Sequence, residues 1–147
     1  MALNQKRVQQ LQDVAASSLE VGERIEVLTA ASVGTVSVKK KVLTAAAAGI
    51  ATGGLLMVSV RPRRMYVVST DRRLVFFDAD TASGKPGKLL MILPKANVTA
   101  SEVKRGLMTL KAMLSVDGQD RAVRVMFPKP CRDEGTQILG TLGTRQS

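Results

Sequence analysis

Apolar and polar positions recur with two different periods along this chain. Leu3, Val8, Leu11, Val14 and Ala15 fall roughly at helical spacing, while Gln5, Lys6, Arg7, Gln9, Gln10 and Asp13 take the other positions. That spacing predicts an amphipathic helix ending near Ser17, with Gly22 as its breaker. From Arg24 onward the period shortens to two. Arg24–Thr29 and Gly34–Val38 are β-branched and alternating, which predicts two short strands. Met65–Ser69 and Arg73–Phe77 form a second pair around the turn residues Thr70 and Asp71. Lys88–Leu93, stopped by Pro94, and Val98–Lys104, stopped by Gly106, add two more. The clearest hairpin follows: Met108, Leu110, Ala112, Leu114 and Val116 share one face, Asp117-Gly118 turns, and Val123, Val125 and Phe127 resume the alternation. Pro128 and Pro130 end that strand. Asp133 is expected to cap a short helix in which Ile138, Leu139 and Leu142 share a face, and Gly143–Ser147 to fray.

These elements predict a mainly β domain: an N-terminal helix, about seven or eight strands and a C-terminal helix, packed as an antiparallel sandwich or barrel with a capping helix. The 147 residues suit a single domain. The loop Asp80–Lys88 is too short to separate two, and no internal repeat is visible. The expected division is residues 1–20 for the first helix, 21–142 for the domain and 143–147 for a tail. The first helix is polar and periodic, without the continuous apolar centre of a secretory signal.

One segment breaks both periods. Val42–Val60 is nineteen residues without a charge, about 28 Å if wholly helical and just enough to cross a bilayer core. Gly49 and Gly53 form a Gly-x-x-x-Gly pair that lets membrane helices approach closely. Three features oppose a single crossing. Its flanks are basic on both sides, so the positive-inside bias gives no orientation. A crossing strands Arg24–Val38 on the opposite side from Met65–Phe127, although they belong to one sheet. Gly53-Gly54 divides the run into an Ala-rich arm and a β-prone arm, as a turn does. A returning hairpin meets all three objections. Its expected contact residues are Val42, Leu43, Ile50, Gly53, Gly54, Leu55, Leu56, Met57 and Val58.

Charge sharpens this picture. The net charge is +10, which attracts phosphates on lipid head groups or nucleic acid. Between Lys39 and Arg73, eight basic residues (Lys39, Lys40, Lys41, Arg61, Arg63, Arg64, Arg72 and Arg73) face one acid, Asp71. They form an expected anion-binding collar around the run, each worth about 1 kcal/mol near an anionic surface. Nucleic acid fits less well, because Tyr66, Phe76, Phe77 and Phe127 are the only aromatics and most of them fall at core positions, leaving no evident stacking platform.

Composition argues against catalysis. The chain has no histidine, one cysteine and one tyrosine, so the commonest general base and metal ligand are missing. Cys131 reads as a small side chain at a strand-to-helix junction, and a lone cysteine fits a reducing compartment. The foothold for an enzyme is Asp71, Asp78 and Asp80 beside Arg72 and Arg73, which turn chemistry explains equally well. No cofactor, metal or small-molecule substrate is expected.

The segment Tyr66-Val-Val-Ser-Thr-Asp-Arg-Arg-Leu-Val-Phe-Phe-Asp78, followed by Gly84-Lys-Pro-Gly-Lys-Leu-Leu90 and a strand ending at Pro94, resembles the bacterial pleckstrin-homology-like (PH-like) domains. A Gly-Glu pair, here Gly22-Glu23, precedes their first strand, and a Thr-Asp-Arg-Arg-Leu turn, here Thr70–Leu74, joins two others. The resemblance covers roughly Val21–Leu142. It implies a seven-stranded, strongly bent antiparallel sheet closed at one end by a C-terminal helix, and a scaffold that binds lipid head groups, peptides or copies of itself. The N-terminal helix and the apolar insertion are extra to a minimal member.

Resemblance and run together imply a non-catalytic module lying peripherally on the cytoplasmic face of a membrane through the hairpin and its collar. The alternative is a structural subunit that self-associates through the same arm into a homo-oligomer or larger assembly. A third reading folds the run back as core of its own domain.

Overall fold

The computed structural model describes residues 5–37, 55–57, 59–80 and 82–144. Helix α1 (Gln5–Ala16) leads into β1 (Ile25–Ser37), β2 (Arg63–Thr70), β3 (Arg73–Ala79), β4 (Pro86–Pro94), β5 (Val98–Arg105), β6 (Thr109–Val116) and β7 (Arg121–Pro128). Helix α2 (Arg132–Gly140) and a two-residue strand β8 (Gly143–Thr144) complete it. All strands join one sheet in the order β4-β3-β2-β1-β7-β6-β5-β8. The first seven pair antiparallel, and β8 runs parallel to β5.

The two expected strands before the apolar run are one strand of 13 residues. Ala30, Ala31 and Ser32 are weak strand formers, so the sequence reads as interrupted there. Pairing overrides propensity: β1 takes β2 on one side from Ile25 to Val33 and β7 on the other from Ser32 to Ser37. It is the seam of the sheet, and the small buried side chains of Ala30 and Ala31 sit where its neighbours close in.

Strands β2 and β3 are buried on both faces, with Met65–Thr70 and Arg73–Phe77 burying consecutive residues. On one element outside the sheet, α1, Leu11 and Ala15 are buried, and the helix packs on β4. Fully burying a leucine such as Leu11 contributes about 2 kcal/mol. In β6 and β7 the burial alternates as the sequence predicts, with Leu110, Ala112, Leu114, Val116, Val123, Val125 and Phe127 inside. Met108 departs from that face: it precedes β6 and is exposed.

The C-terminus corrects two further expectations. Helix α2 begins at Arg132 after a turn through Cys131, and no side chain caps it; Asp133 lies inside its first turn. There its negative charge complements the positive end of the helix dipole instead of bonding the backbone. Gly143 and Thr144, expected to fray, pair with Thr99 and Ala100 of β5. That cover blunts one sheet edge. Leu56 blunts the other by exchanging two hydrogen bonds with Ile92 of β4, at 2.9 and 2.8 Å.

Candidate functional site

The apolar run is the connection between β1 and β2, two strands paired with each other. Of its expected contact residues, Leu55, Leu56 and Met57 are described; Val42, Leu43, Ile50, Gly53, Gly54 and Val58, and the collar residues Lys39, Lys40 and Lys41, lie outside the described residues. The C-terminal end of the run is nevertheless fixed. Strand β1 ends at Ser37, and Leu56 lies along the edge of β4. At Val60 the chain meets β1 again: the Thr35 amide donates to the Val60 carbonyl at 3.0 Å, and the Val60 amide donates to the Thr35 hydroxyl at 2.9 Å. Leu55, Met57 and Val60 pack against the core, half-buried. Pro62 then lies over Gly34 so closely that a Cβ at Gly34 would come within 2.9 Å of the Pro62 nitrogen. The strands before and after the run are thus paired with each other, and its last residue is tied to β1, a geometry incompatible with a single crossing that separates β1 from β2.

Four exposed residues, Arg61, Pro62, Arg63 and Arg64, follow the return point. Arg63 and Arg64 line a cleft of about 560 Å³ shared with Arg7, Tyr66, Ala79, Asp80 and Gly84. Its walls are braced. Tyr66 donates its hydroxyl to the Gly84 carbonyl at 2.5 Å, and Arg7 donates to the Ser83 carbonyl at 2.6 Å. Arg63 holds Asp78 at 2.7 Å. Asp80 accepts from the Ser83 hydroxyl and the Ala82 amide, which hold its carboxyl below the usual range. Three arginines therefore border a concave, solvent-open site beside the arm, a setting suited to a phosphate or carboxylate. The sequence reading missed Arg7, because on the polar face of a helix nothing distinguishes it from Lys6 or Gln10.

Arg72 and Arg73 do not join this site. They occupy the β2–β3 turn, and Thr70 before it lies about 20 Å along β2 from Arg64 at ~3.3 Å per residue. Arg73 is also inside the protein, 7% exposed. Its Nη2 donates to Glu23 Oε1 and to the Ser18 carbonyl, both at 2.6 Å, and its Nε to Glu23 Oε2 at 2.9 Å. The guanidinium is committed to an internal carboxylate, so its assignment to the anion-binding collar is corrected. Arg72 stays exposed, 3.7 Å from Glu20 and 3.4 Å from the Val21 carbonyl.

The Thr70–Leu74 motif thereby acquires a structural explanation. The Thr70 hydroxyl accepts from the amides of Arg72 and Arg73 at 3.0 and 2.8 Å and donates to Glu23 Oε2 at 2.5 Å. Asp71 accepts from the Arg24 amide at 2.9 Å and returns its own amide to the Arg24 carbonyl at 3.0 Å. Arg73, chiefly, holds the Glu23 carboxyl down to about 2 from 4.5. The backbone bond from Arg24 lowers that of Asp71. Gly22, at φ +83°, makes the entry bend beside the Arg72 side chain. The motif is a clasp that closes the start of β1 onto the β2–β3 turn.

The carboxylates that offered a foothold for catalysis are each engaged: Asp71 with Arg24, Asp78 with Arg63, Asp80 with its own loop. Among the described residues no three Cys, Asp or Glu side chains gather, and no helix is long and apolar enough to cross a membrane. Tyr66, Phe76, Phe77 and Phe127 are all buried, as is Cys131. No protein-family model matches the chain, and no curated protein matches it at a significant level.

Proposed function

We propose that this chain is a non-catalytic, PH-like module that docks on the cytoplasmic face of a membrane, with residues 42–54 of the apolar run as its inserted arm, Leu55, Met57 and Val60, which pack on the domain, as the foot of that arm, and Arg61–Arg64 as part of the basic collar at its base. The observation that carries this reading is the antiparallel pairing of β1 with β2, the strands before and after the run, together with the return of Val60 to Thr35 of β1 and the exposed arginines directly after it. Because the end of β1 and the start of β2 lie side by side, an arm between them leaves and re-enters on one side of the domain. Its apolar residues then reach the acyl boundary while the arginines sit at head-group level, where each contributes about 1 kcal/mol.

The PH-like part of the proposal is supported by seven antiparallel strands followed by a helix, the arrangement the resemblance implies, and by the Gly22-Glu23 pair meeting the Thr70–Leu74 turn.

Flotation with vesicles tests the reading. The full chain is expected to float with phosphatidylcholine vesicles containing anionic lipid. A variant with residues 42–54 replaced by a Gly/Ser linker, which leaves the Leu56 and Val60 contacts intact, is expected to stay at the bottom of the gradient. Equal flotation of both proteins, or binding indifferent to lipid charge, overturns it. Self-association through the arm is the competing outcome: light scattering then reports an oligomer that becomes monomeric in the linker variant, without vesicle binding.

A further inference from the structure

A second basic surface lies on the outer face of the sheet, extending from the collar residue Arg64 across strands that the collar read from the sequence does not include. Directly paired residues on neighbouring strands point to the same side. Arg64 pairs with Ser32, Ser32 with Met126, Met126 with Lys111 and Lys111 with Lys104. Four strand spacings of ~4.8 Å make this row about 19 Å long. In the next row Gly34, which Pro62 covers, pairs with Arg124, and Arg124 with Met113. The surface therefore runs unbroken from the base of the arm to β5.

At its far end Lys104, Lys111 and Arg124 border a concavity of about 240 Å³ floored by Met113. All three are exposed, and none makes an ion pair with a described residue. Lys104 and Lys111 face each other across the strands, a placement that like charges disfavour. A bulge between Ser101 and Lys104 creates it, with Glu102 held at φ 50°. The Glu102 carboxylate also lines the concavity, leaving two positive charges in excess. Beyond it the β5–β6 connection presents Leu107, 86% exposed, and Met108, 66% exposed.

We propose that this face is a second membrane contact, in which Lys104, Lys111 and Arg124 hold the phosphate of a lipid phosphomonoester while Leu107 and Met108 enter the interface. It rests on the membrane-docking reading and deepens it by naming a head-group site the sequence did not suggest. An unpaired cation trio offset by one carboxylate suits a dianionic phosphate better than a singly charged one. The adjacent apolar tip favours a lipid over a soluble phosphate. The absence of an exposed aromatic among the described residues favours it over nucleic acid.

The test uses the full chain and phosphatidylcholine vesicles with phosphatidate. Removing Lys104 and Lys111 charge (K104Q/K111Q) is expected to lower partitioning about 25-fold, roughly fivefold per side chain. L107S/M108S is expected to lower it as well, and millimolar glycerol 3-phosphate to leave it unchanged. K104Q/K111Q is expected to melt no lower than the parent, since a like-charge pair is removed; should it fail to fold, K111Q alone serves, with a fivefold expectation. Unchanged partitioning of both double variants overturns the site, and the linker variant of residues 42–54 then shows separately whether docking through the arm stands. Displacement by glycerol 3-phosphate overturns the lipid source. Charge-dependent binding of a single-stranded oligonucleotide in place of vesicles overturns both.

Discussion

Arg73 grips Glu23 across fifty residues of sequence, with both partners inside the protein and Nη2 2.6 Å from Oε1. Two charges removed from water repay their desolvation only when the geometry satisfies them fully, and removing one partner leaves the other buried and unpaired. Glu23→Gln is therefore expected to lower stability by about 3–5 kcal/mol. Chemical denaturation of the two proteins side by side measures it. A loss below ~1 kcal/mol shows that the clasp is dispensable.

The same pair sets an acid response. The Glu23 carboxyl falls from 4.5 to about 2 on folding, so the unfolded chain binds its proton first and the stabilisation is complete only above the unfolded value. It is lost as pH falls from about 5 towards 2, a span worth about 3 kcal/mol. The stability of the parent is expected to drop steeply in that window. Glu23→Gln, with nothing to titrate there, is expected to show the shallower slope of the remaining carboxylates.

Gly135 on α2 leaves no room for a side chain, because a Cβ there would stand 2.6 Å from the Phe127 ring. Helix and strand close on each other at that point. Gly135→Ala, normally favourable in a helix, is expected to destabilise by about 1–3 kcal/mol through overpacking. A raised melting temperature instead means that the ring yields.

How far the fold was legible in the sequence depended on whether a residue's environment was written in its neighbours. The β6–β7 hairpin was, since alternation from Leu110 to Phe127 and the Asp117-Gly118 turn are both local. Strand β1 was not, because Ala30-Ala31-Ser32 becomes a strand only through pairing with β2 and β7. Arg73 shows the same limit for function. In sequence it resembles Arg64, and only Glu23, fifty positions earlier, separates a buried clasp from a surface cation. The Gly-Glu pair was the available signal. The Lys104, Lys111 and Arg124 face had none, being assembled across three strands with a bulge shifting the register.

Gly34 tests how the arm is anchored. Its missing side chain lets Pro62 lie on β1, and the Thr35 hydroxyl holds Val60 from the same strand. Gly34→Ala is expected to push the 60–63 segment off β1 and to cost about 1–3 kcal/mol. Amide exchange at Val60 and Thr35 reads the displacement directly; protection equal to the parent's shows that the segment tolerates the methyl.

The separation of the arginines gives the most discriminating prediction. In sequence, Arg64 and Arg72 belong to one basic stretch; in the fold they sit at opposite ends of β2, Arg64 beside the arm and Arg72 over Gly22. Neither is buried, so neutralising either leaves no stranded charge and little change in stability. Membrane attraction decays within about 10 Å at 0.1 M salt, so a surface held by the arm attracts Arg64 and not Arg72. Arg64→Gln is expected to weaken binding to anionic vesicles about fivefold and to flatten its salt dependence. Arg72→Gln is expected to leave both unchanged. Equal losses from the two mean that net charge alone draws this protein to the bilayer and that the arm does not orient it; a loss from Arg72→Gln only places the docking face at the clasp.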